Sequence, residues 1–553
     1  MKKKTLALVM AAAMAFSLTA CGGNSGSTTT AGTEGQTTKE EQAKPETDTT
    51  AQAEAQTEAA GQPKEGGTLK MGMSVECMTA AAWRIRSNQE TVTWGLVYEP
   101  LIKLDDAGNP VGYLAKSLEG DKENLTYTVT LRDDVYFSDG SHLDADVLLW
   151  NFENFKEKSQ TSSTHFGSVD SFEKTGDYTV VIHLNEWNSQ IPYSLNSVPG
   201  LMYSKKAFDE NGEEWCMQNP VGTGPYVLDK WVNDDSKTFK KNENYWNKEA
   251  TVYLDSVETK VIADEMSAQA ALLNGDINAY FGGSTSFQNT MMKAGFERAA
   301  NKMNYRIYFL IFASDVEGSP LADVKVRQAI SYAIDSQSIA ENVDFGITFV
   351  SKEYAVEGTP FYNDAVKGYG YDAAKAKELL KEAGYENGFT TTVYAGVDQA
   401  LTSYLVAIQG YLKEVGITLD IEEQETAIWT SKGIYDIDEG MILAGHGFGA
   451  NLVNQQVSNF SKRAREGVGM LKECKLHPDD LDNAIMSALQ ASDTAEMLKY
   501  EFQAQEMIID DYCLGYPVVM SEAYVTMMNK DLVDANCFAN NDNFPDFTGI
   551  YFK

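Results

Sequence analysis

The sequence predicts a mixed α/β protein built of about two or three domains. Three observations carry that prediction. Helical and strand-like stretches alternate along residues 68–553 of the 553-residue chain. Helices end on glycines that lead directly into strands. The alternating strands carry one apolar face, as half-buried sheets require.

The first residues stand apart. MKKKTLALVMAAAMAF has a basic start at Lys2, Lys3 and Lys4, then an apolar run over 5–16. That combination reads as a secretory signal peptide, residues 1–20. It ends in Leu18-Thr19-Ala20-Cys21, which resembles a bacterial lipobox. The Cys21 thiol would be lipidated and become the new N-terminus, and its acyl chains would hold the chain on a bilayer. Residues 21–66 hold Gly, Ser, Thr, Ala, Gln and Glu without an aromatic or a large aliphatic residue. Such a segment buries no core and reads as a disordered tether.

The folded elements follow. LTYTVTLRDDVYF (125–137) alternates Leu125, Tyr127, Val129 and Leu131 with threonines, which is a strand. Asp139-Gly140 marks a turn, and Asp144 caps the helix of DADVLLWNFENFKE. YTVVIHL (178–184) is another strand. DAAKAKELLKEAG is a full helix statement: Asp372 caps it, Ala376, Leu379, Leu380 and Ala383 form its buried stripe, and Gly384 ends it. YLVAIQGYLKEVG repeats the pattern up to Gly416, and ITLDIEEQ (417–424) alternates as a strand. A helical run over 494–511 precedes strand-like YPVVMSEAYVTMM (516–528). After the signal peptide no apolar run is long enough to span a membrane.

Composition narrows the function. A formal charge of -35 argues against nucleic acid, whose phosphates call for Lys and Arg, and against charge-driven membrane binding. The lipid on Cys21 would be the only membrane contact. Cys77, Cys216, Cys474, Cys513 and Cys537 show no CxxC spacing, and an odd number leaves at least one free thiol. A Cys513–Cys537 bridge is one pairing the count allows. There is no Gly-x-Ser-x-Gly, His-Glu-x-x-His or Ser-x-x-Lys set. The five histidines are scattered, so neither a protein-built metal site nor a cofactor is expected.

Four blocks in order then carry a resemblance. WGLVYEPLIKLDDAGNPVGYLAKSLEGDKENLTYTVTLRDDVYFSDGSHLDADVL opens it. NPVGTGPYVLDKW…NENYW adds Pro220, Gly222, Thr223, Gly224, Pro225, Tyr226, Trp231, Asn244, Tyr245 and Trp246. SPLADVKVRQAISYAID adds Pro320, Asp323, Val326, Arg327, Ala329 and Asp335, and GYDAAKAKELLKEAGY closes it. The chain resembles the bacterial extracellular solute-binding proteins of family 5, the peptide- and nickel-binding receptors of ABC importers. The resemblance implies a two-lobed periplasmic-binding-protein-like fold with an extra domain. Residues 67–100, 217–303 and 518–553 would form lobe I, 101–216 the additional domain, and 304–517 lobe II. A ligand would close the lobes about a hinge, and the closed monomer would dock on the permease subunits of an ABC transporter. The Gly-Thr-Gly of 222–224 is read as a turn and not a phosphate loop, because Pro225 stands where a helix would open. Tyr245, Trp246 and Arg327 are read as structural.

Ligand contacts are expected in less regular stretches. SVECMTAAAWRIRSNQETVTW (74–94) should line the lobe I side of the cleft through Glu76, Trp83, Arg84 and Trp94. Trp stacks on rings, and Arg84 could clamp a carboxylate. Trp429 is the expected contact from lobe II. LAGHGFGANLV (443–453) adds His446, Phe448 and Asn451. Relatives carry Gly-Trp-x-x-Asp near there, and in peptide receptors its Asp pairs with the ligand α-amino group. Here His446 replaces the Trp, and Gly449 or Asn451 replaces the Asp, which puts the standard peptide assignment in doubt. His446 with Arg84 would be the pair to hold a chelated nickel. The readings kept open are a lipid-anchored peptide receptor on the extracellular (or periplasmic) face of the cell membrane, an oligosaccharide receptor of the same family, and a lipid-anchored secreted hydrolase. An adhesin or signalling receptor reusing the fold is a fourth.

Overall fold

The computed structural model describes residues 63–425, 428–429, 437–449, 452–463, 471 and 474–553. The signal peptide, Cys21, nearly all of the tether, and Asn451 lie outside the described residues, as does the side chain of Phe448. Among the described residues no helix is long and apolar enough to cross a membrane.

Three sheets organise the chain. A seven-stranded mixed sheet runs Glu297–Ala300, Val525–Met528, Ala279–Phe281, Thr68–Met73, Ser256–Val261, Ser236–Lys241, Tyr226–Val232. Its strands lie within residues 67–100, 217–303 and 518–553. A five-stranded sheet runs Ile417–Gln424, Phe389–Gly396, Met441–Phe448, Tyr305–Phe312, Gly515–Glu522 and is the frame of lobe II. A four-stranded antiparallel sheet, Ala115–Asp121, Thr126–Leu131, Thr179–Leu184, Val169–Gly176, belongs to the additional segment. That segment shares one apolar core with lobe I, including Trp83, Phe152, Tyr203, Val257 and Phe547. Lobe II has separate cores on the two faces of its sheet.

Local chemistry sets these elements. In Thr126–Leu131 and Thr179–Leu184 every second side chain is buried: Tyr127, Val129 and Leu131, then Val180, Ile182 and Leu184. Leu125, expected on the same face, instead turns the corner at φ 53. Asp144 caps the helix Ala145–Lys158 by accepting from the Asp146 and Val147 amides. Asp372 does the same for Ala373–Glu382 through the Lys375 amide, and Gly384 takes the left-handed conformation after it. The expected single helix over 494–511 is α-helical over Thr494–Glu506 and widens into a π-turn over Met507–Asp511.

The blocks that carry the resemblance are scaffold. The buried Glu99 carboxylate accepts hydrogen bonds from Thr223, Tyr245, Trp246 and Tyr113. Burial pushes its pKa up, against the pull of those donors and of the nearby Lys103 charge. Gly222 and Gly224 are needed because their backbone packs directly on Val97; a Cβ on Gly222 would lie 2.1 Å from the Val97 carbonyl oxygen. The buried guanidinium of Arg327 donates to the carbonyls of Leu321, Ala322, Tyr512 and Cys513, joining a helix to the entry of the last lobe II strand. Cys77, Cys216, Cys474, Cys513 and Cys537 are all buried and outside any disulfide, so Cys513 and Cys537 are not bridged.

The chain crosses between lobes twice, at 301–304 and at 523–524. The second crossing is later than the sequence suggests. The expected boundary at 517/518 falls inside the strand Gly515–Glu522, which pairs along its length with Tyr305–Phe312 in lobe II. The two crossings are bound together. The Asn301 amide donates to the Tyr524 carbonyl, the Ala523 amide to the Asn304 carbonyl, and the Asn301 side chain to Asn540 and Asp542.

Candidate functional site

Among the described residues a cavity lies beside these crossings and is walled by both lobes. It measures 680 Å³, within the range of pockets that hold small organic ligands. Lobe I supplies the loop Gly282–Ser286, Glu265, Gln288 and Arg298; lobe II supplies Arg306, Tyr308, Asp344, Tyr404, Gly445 and Gly447. A smaller space of 210 Å³ continues past Asn88, Gly447 and Ala523, lined by Tyr193, Asn196, Asn304, Tyr305, Gln455, Tyr524 and Asn543.

Strand alternation builds the lobe II wall. In Tyr305–Phe312, YRIYFLIF, the side chains of Ile307, Phe309 and Ile311 enter one core. Leu310 and Phe312 enter the core on the opposite face. Arg306 and Tyr308 share the face of Leu310 and Phe312; Tyr308 packs at the edge of that core, and both line the cavity. Met441–Phe448 runs antiparallel beside it, with Tyr308 opposite Gly445 and Arg306 opposite Gly447. The guanidinium lies over the Tyr308 ring, 5.2 Å from its centroid, and across Gly445. A Cβ on Gly445 would sit 2.5 Å from Arg306 Nε, whereas one on Gly447 would meet nothing within 4 Å. The glycines thus seat an arginine and leave open room beside it.

The same alternation turns His446 away. It lies opposite Ile307 and meets the Phe309 ring edge-on at 5.8 Å, on the face toward the lobe II core. Burial, then the charges of Arg306 and Lys475, pull its pKa down to about 4, so the ring is neutral at neutral pH. Its expected place in the cleft is taken by the glycines on either side.

Asp344 crosses the cavity. Its buried carboxylate accepts from Tyr404 Oη at 2.7 Å and Thr348 Oγ1 at 2.8 Å in lobe II, and from Thr285 Oγ1 at 2.9 Å in lobe I. Glu522 accepts two bonds from the Arg298 guanidinium, at 3.0 and 2.6 Å. Glu265 accepts from the amide and hydroxyl of Ser284 at 2.6 and 2.7 Å.

The remaining sequence candidates lie elsewhere. Trp83 is 3% exposed and packs edge-on against Trp150, Tyr203 and Phe208. Trp94 is fully buried against Trp231 and Phe239. Both are core residues of the lobe I side: Trp83 fills the junction with the additional segment, and Trp94 packs beneath the seven-stranded sheet's own rings. Arg84 pairs with Glu213 at 3.5 Å, and Glu76 is held by Lys237 and the Trp231 indole. From the stretch 74–94 it is Asn88 that reaches the cavity. Trp429 is half-buried over Gly396 and is absent from the described lining. Phe448 keeps its backbone place opposite Tyr305. The sequence reading singles out none of Arg306, Tyr308, Asp344 and Thr285; for the first two the signal is a charge and a tyrosine spaced by two in an otherwise apolar strand, and the other two carry none.

Two sheeted lobes joined by paired crossings, with a cavity walled by both, define a two-lobed solute-binding protein. The chain belongs to the bacterial extracellular solute-binding proteins, family 5, whose model matches residues 109–466. It is 27% identical over 421 residues to the glutathione-binding protein GsiB of Pectobacterium atrosepticum, covering 75% of this chain and 81% of that protein. It is 26% identical over 362 residues to the nickel-binding periplasmic protein of Escherichia coli, covering 60% and 67%. Among solved structures it is similar to the periplasmic binding protein DppA of Helicobacter pylori in complex with the peptide STSA (TM-score 0.69, 23% identity, 88% of this chain and 98% of that one). It is also similar to NikA of Brucella suis in complex with Fe(III)-EDTA (TM-score 0.76, 20% identity, 88% and 100%).

Proposed function

We propose that this chain is a lipid-anchored extracellular receptor that captures a peptide-sized solute between its lobes and delivers it to the permease of an ABC importer. The observation that carries the reading is the 680 Å³ cavity walled by both lobes beside the paired crossings. The Thr285–Asp344 hydrogen bond spans that cavity, so occupancy and lobe closure are coupled there. The glutathione-binding relative and the peptide-bound structural neighbour support a peptide-like solute. Cys21 carries the anchoring part of the reading.

The state of the cavity acids favours a receptor over a hydrolase. Asp344, Glu522 and Glu265 each already accept two or three hydrogen bonds from neighbouring side chains or backbone. A carboxylate so occupied is poorly placed to move protons on a substrate. A second cargo, an oligosaccharide, is favoured by the amide-rich continuation of the cleft at Asn88, Asn196, Asn304, Gln455 and Asn543. Amides of this kind pair with hydroxyls.

The test is a thermal-shift screen of the full chain against peptides, oligosaccharides and metal chelates. A solute that binds only the folded state raises the melting midpoint by mass action. Peptides should raise it; a response to sugars or chelates alone would replace the cargo, and no response from any class would remove the receptor reading. Mass spectrometry of the membrane-bound chain should find acyl groups on Cys21 and no residues before it.

A further inference from the structure

Two crossings bound side by side are a single pivot. The Asn301 and Ala523 amides tie them together at one place, and one place leaves a lobe free to turn about any line through it. A second contact between the lobes lies outside the cavity. Residues 186–193 of the additional segment run along the end of the lobe II helix Asp479–Leu489. The last carbonyls of a helix have no partner within it, and this helix has no basic residue in its last turn to serve them. The Ser189 amide donates to the Leu489 carbonyl at 2.8 Å, and the Ser189 hydroxyl to the Ala488 carbonyl at 3.1 Å. Just beyond, the Trp187 indole donates to the Ala491 carbonyl at 2.7 Å. Trp187 is itself fixed in the additional segment, stacked on the Tyr127 ring at 4.7 Å. Gln190 donates to the Met497 sulfur at 3.1 Å, and an ion pair of Glu186 with Arg463 at 2.6 Å closes the outer edge. The other end of the stretch reaches back to the crossings. Tyr193 belongs to the lobe II core and lines the cleft continuation with Asn304 and Tyr524.

We propose that residues 186–193 are a second pivot for lobe II, so that the lobes open and close about the one line from the crossings to this contact, which holds in the empty and the filled chain alike. The composition of the contact carries this. Its centre is buried and apolar, so parting it would bring Trp187, Tyr193, Leu489 and Met497 into water. Interfaces of that kind hold domains still, whereas surfaces that part are polar, as the Thr285–Asp344 bridge across the cavity is. An empty chain restricted to one line of motion has less freedom to lose when a solute closes it. Affinity rises without any added solute contact. The proposal rests on the receptor reading above for the opening motion and gives the additional segment a mechanical part in it.

The test follows backbone amide exchange by mass spectrometry on the full chain in detergent, empty and with a mixture of di- and tripeptides. In the empty chain the Ser189 amide, read from overlapping fragments, should exchange roughly 100-fold or more slowly than an unstructured amide. The peptides should leave it unchanged while they slow the amides of 282–286 and 344–348. Fast exchange at Ser189 in the empty chain, or protection that comes only with peptide, overturns the proposal, because the contact is then a latch that parts. If no peptide slows a cavity amide, the peptide cargo fails by itself, and the empty chain still decides through a distance. Spin labels are placed on Leu273→Cys in lobe I and Val406→Cys in lobe II, both exposed, since the described native cysteines are buried. With the contact intact the distances between them should form one narrow distribution. Trp187→Phe with Ser189→Pro keeps the ring stack and removes three donors, and it should broaden that distribution about twofold or more. An unchanged width overturns the second pivot. The exchange arm uses no substitution, so it decides even where the double variant fails to fold.

Discussion

Gly445→Ala tests the seat of Arg306 with a single methyl group. The new Cβ would lie 2.5 Å from Arg306 Nε, 2.9 Å from Tyr308 Cε1 and 3.0 Å from Arg306 Nη2. Contact distance is about 3.5 Å, so the overlap with the guanidinium is about 1 Å. The Tyr308 ring has a Tyr404 neighbour at 5.1 Å, which leaves the arginine as the group that moves. Gly445 is not in the left-handed region, so alanine fits its backbone and contributes roughly 0.5–1 kcal/mol through reduced chain entropy. Against this stand about 0.5–1 kcal/mol for the lost ring contact and about 0.5–1.5 kcal/mol for an off-rotamer arginine. The balance leaves stability within about 1 kcal/mol of wild type. Solute affinity does not balance, because Arg306 lines the cavity and a guanidinium displaced by about 1 Å changes the wall a solute meets, and roughly a tenfold loss follows. Urea denaturation reads the first quantity and titration calorimetry with a solute that raises the melting midpoint reads the second. Gly447→Ala, whose Cβ would meet nothing, should keep or raise stability. A Gly445→Ala protein with wild-type affinity, or one destabilised by more than about 2 kcal/mol, would refute the reasoning.

Three further outcomes are expected. Thr285→Val removes the lobe I donor to Asp344; a hydrogen bond to a charged group contributes about 1.5–3 kcal/mol, so scattering should show a more open apo chain and solute binding should weaken several-fold, and an unchanged profile and affinity would contradict the bridge. Burial pushes the Glu353 carboxyl up from 4.5 to about 8. The folded chain then holds a proton that the unfolded chain has released, so stability should fall as pH rises between those values and level off above; Glu353→Gln should flatten that slope in urea midpoints measured across it. Trp83→Ala should cost about 3–5 kcal/mol of stability with solute affinity unchanged in the folded fraction, since its ring touches Trp150, Tyr203 and Phe208 and not the cavity.

What the residues announced in advance was mostly local. Asp144 and Asp372 cap where their side chains can reach the next amides, and that information is contained in a few consecutive positions. Tyr127, Val129 and Leu131 alternate because a half-buried sheet has period two. The cleft is a different kind of object. Whether His446 or its flanking glycines face it depends on the phase of Met441–Phe448 against a strand more than a hundred positions earlier, and glycine writes no preference for a face. Trp83 and Trp94 are wide amphipathic rings; sequence gives their size but not which of two lobes covers them. The 516–528 stretch reads as one strand because both halves are apolar, yet the lobe boundary passes between Glu522 and Val525, where the two sheets part. Arg306 was legible only by counting off the alternation in YRIYFLIF, and a lone charge at the edge of an apolar strand is more usually a solvated end.

The pairing of Glu297–Ala300 with Val525–Met528 has an architectural meaning. These strands are antiparallel neighbours, and Ala300 stands opposite Val525. In a smaller protein they would be the two arms of a hairpin, joined by a turn of two residues. Here everything from 301 to 524 is spliced into that turn. Lobe II is therefore a contiguous insert that leaves and returns at one point. Replacing 301–524 by Asn-Gly should close lobe I on itself as a shorter, independently folding protein. The excised segment should fold as a separate chain with adjacent ends, a split from which the receptor could be rebuilt with a different second lobe.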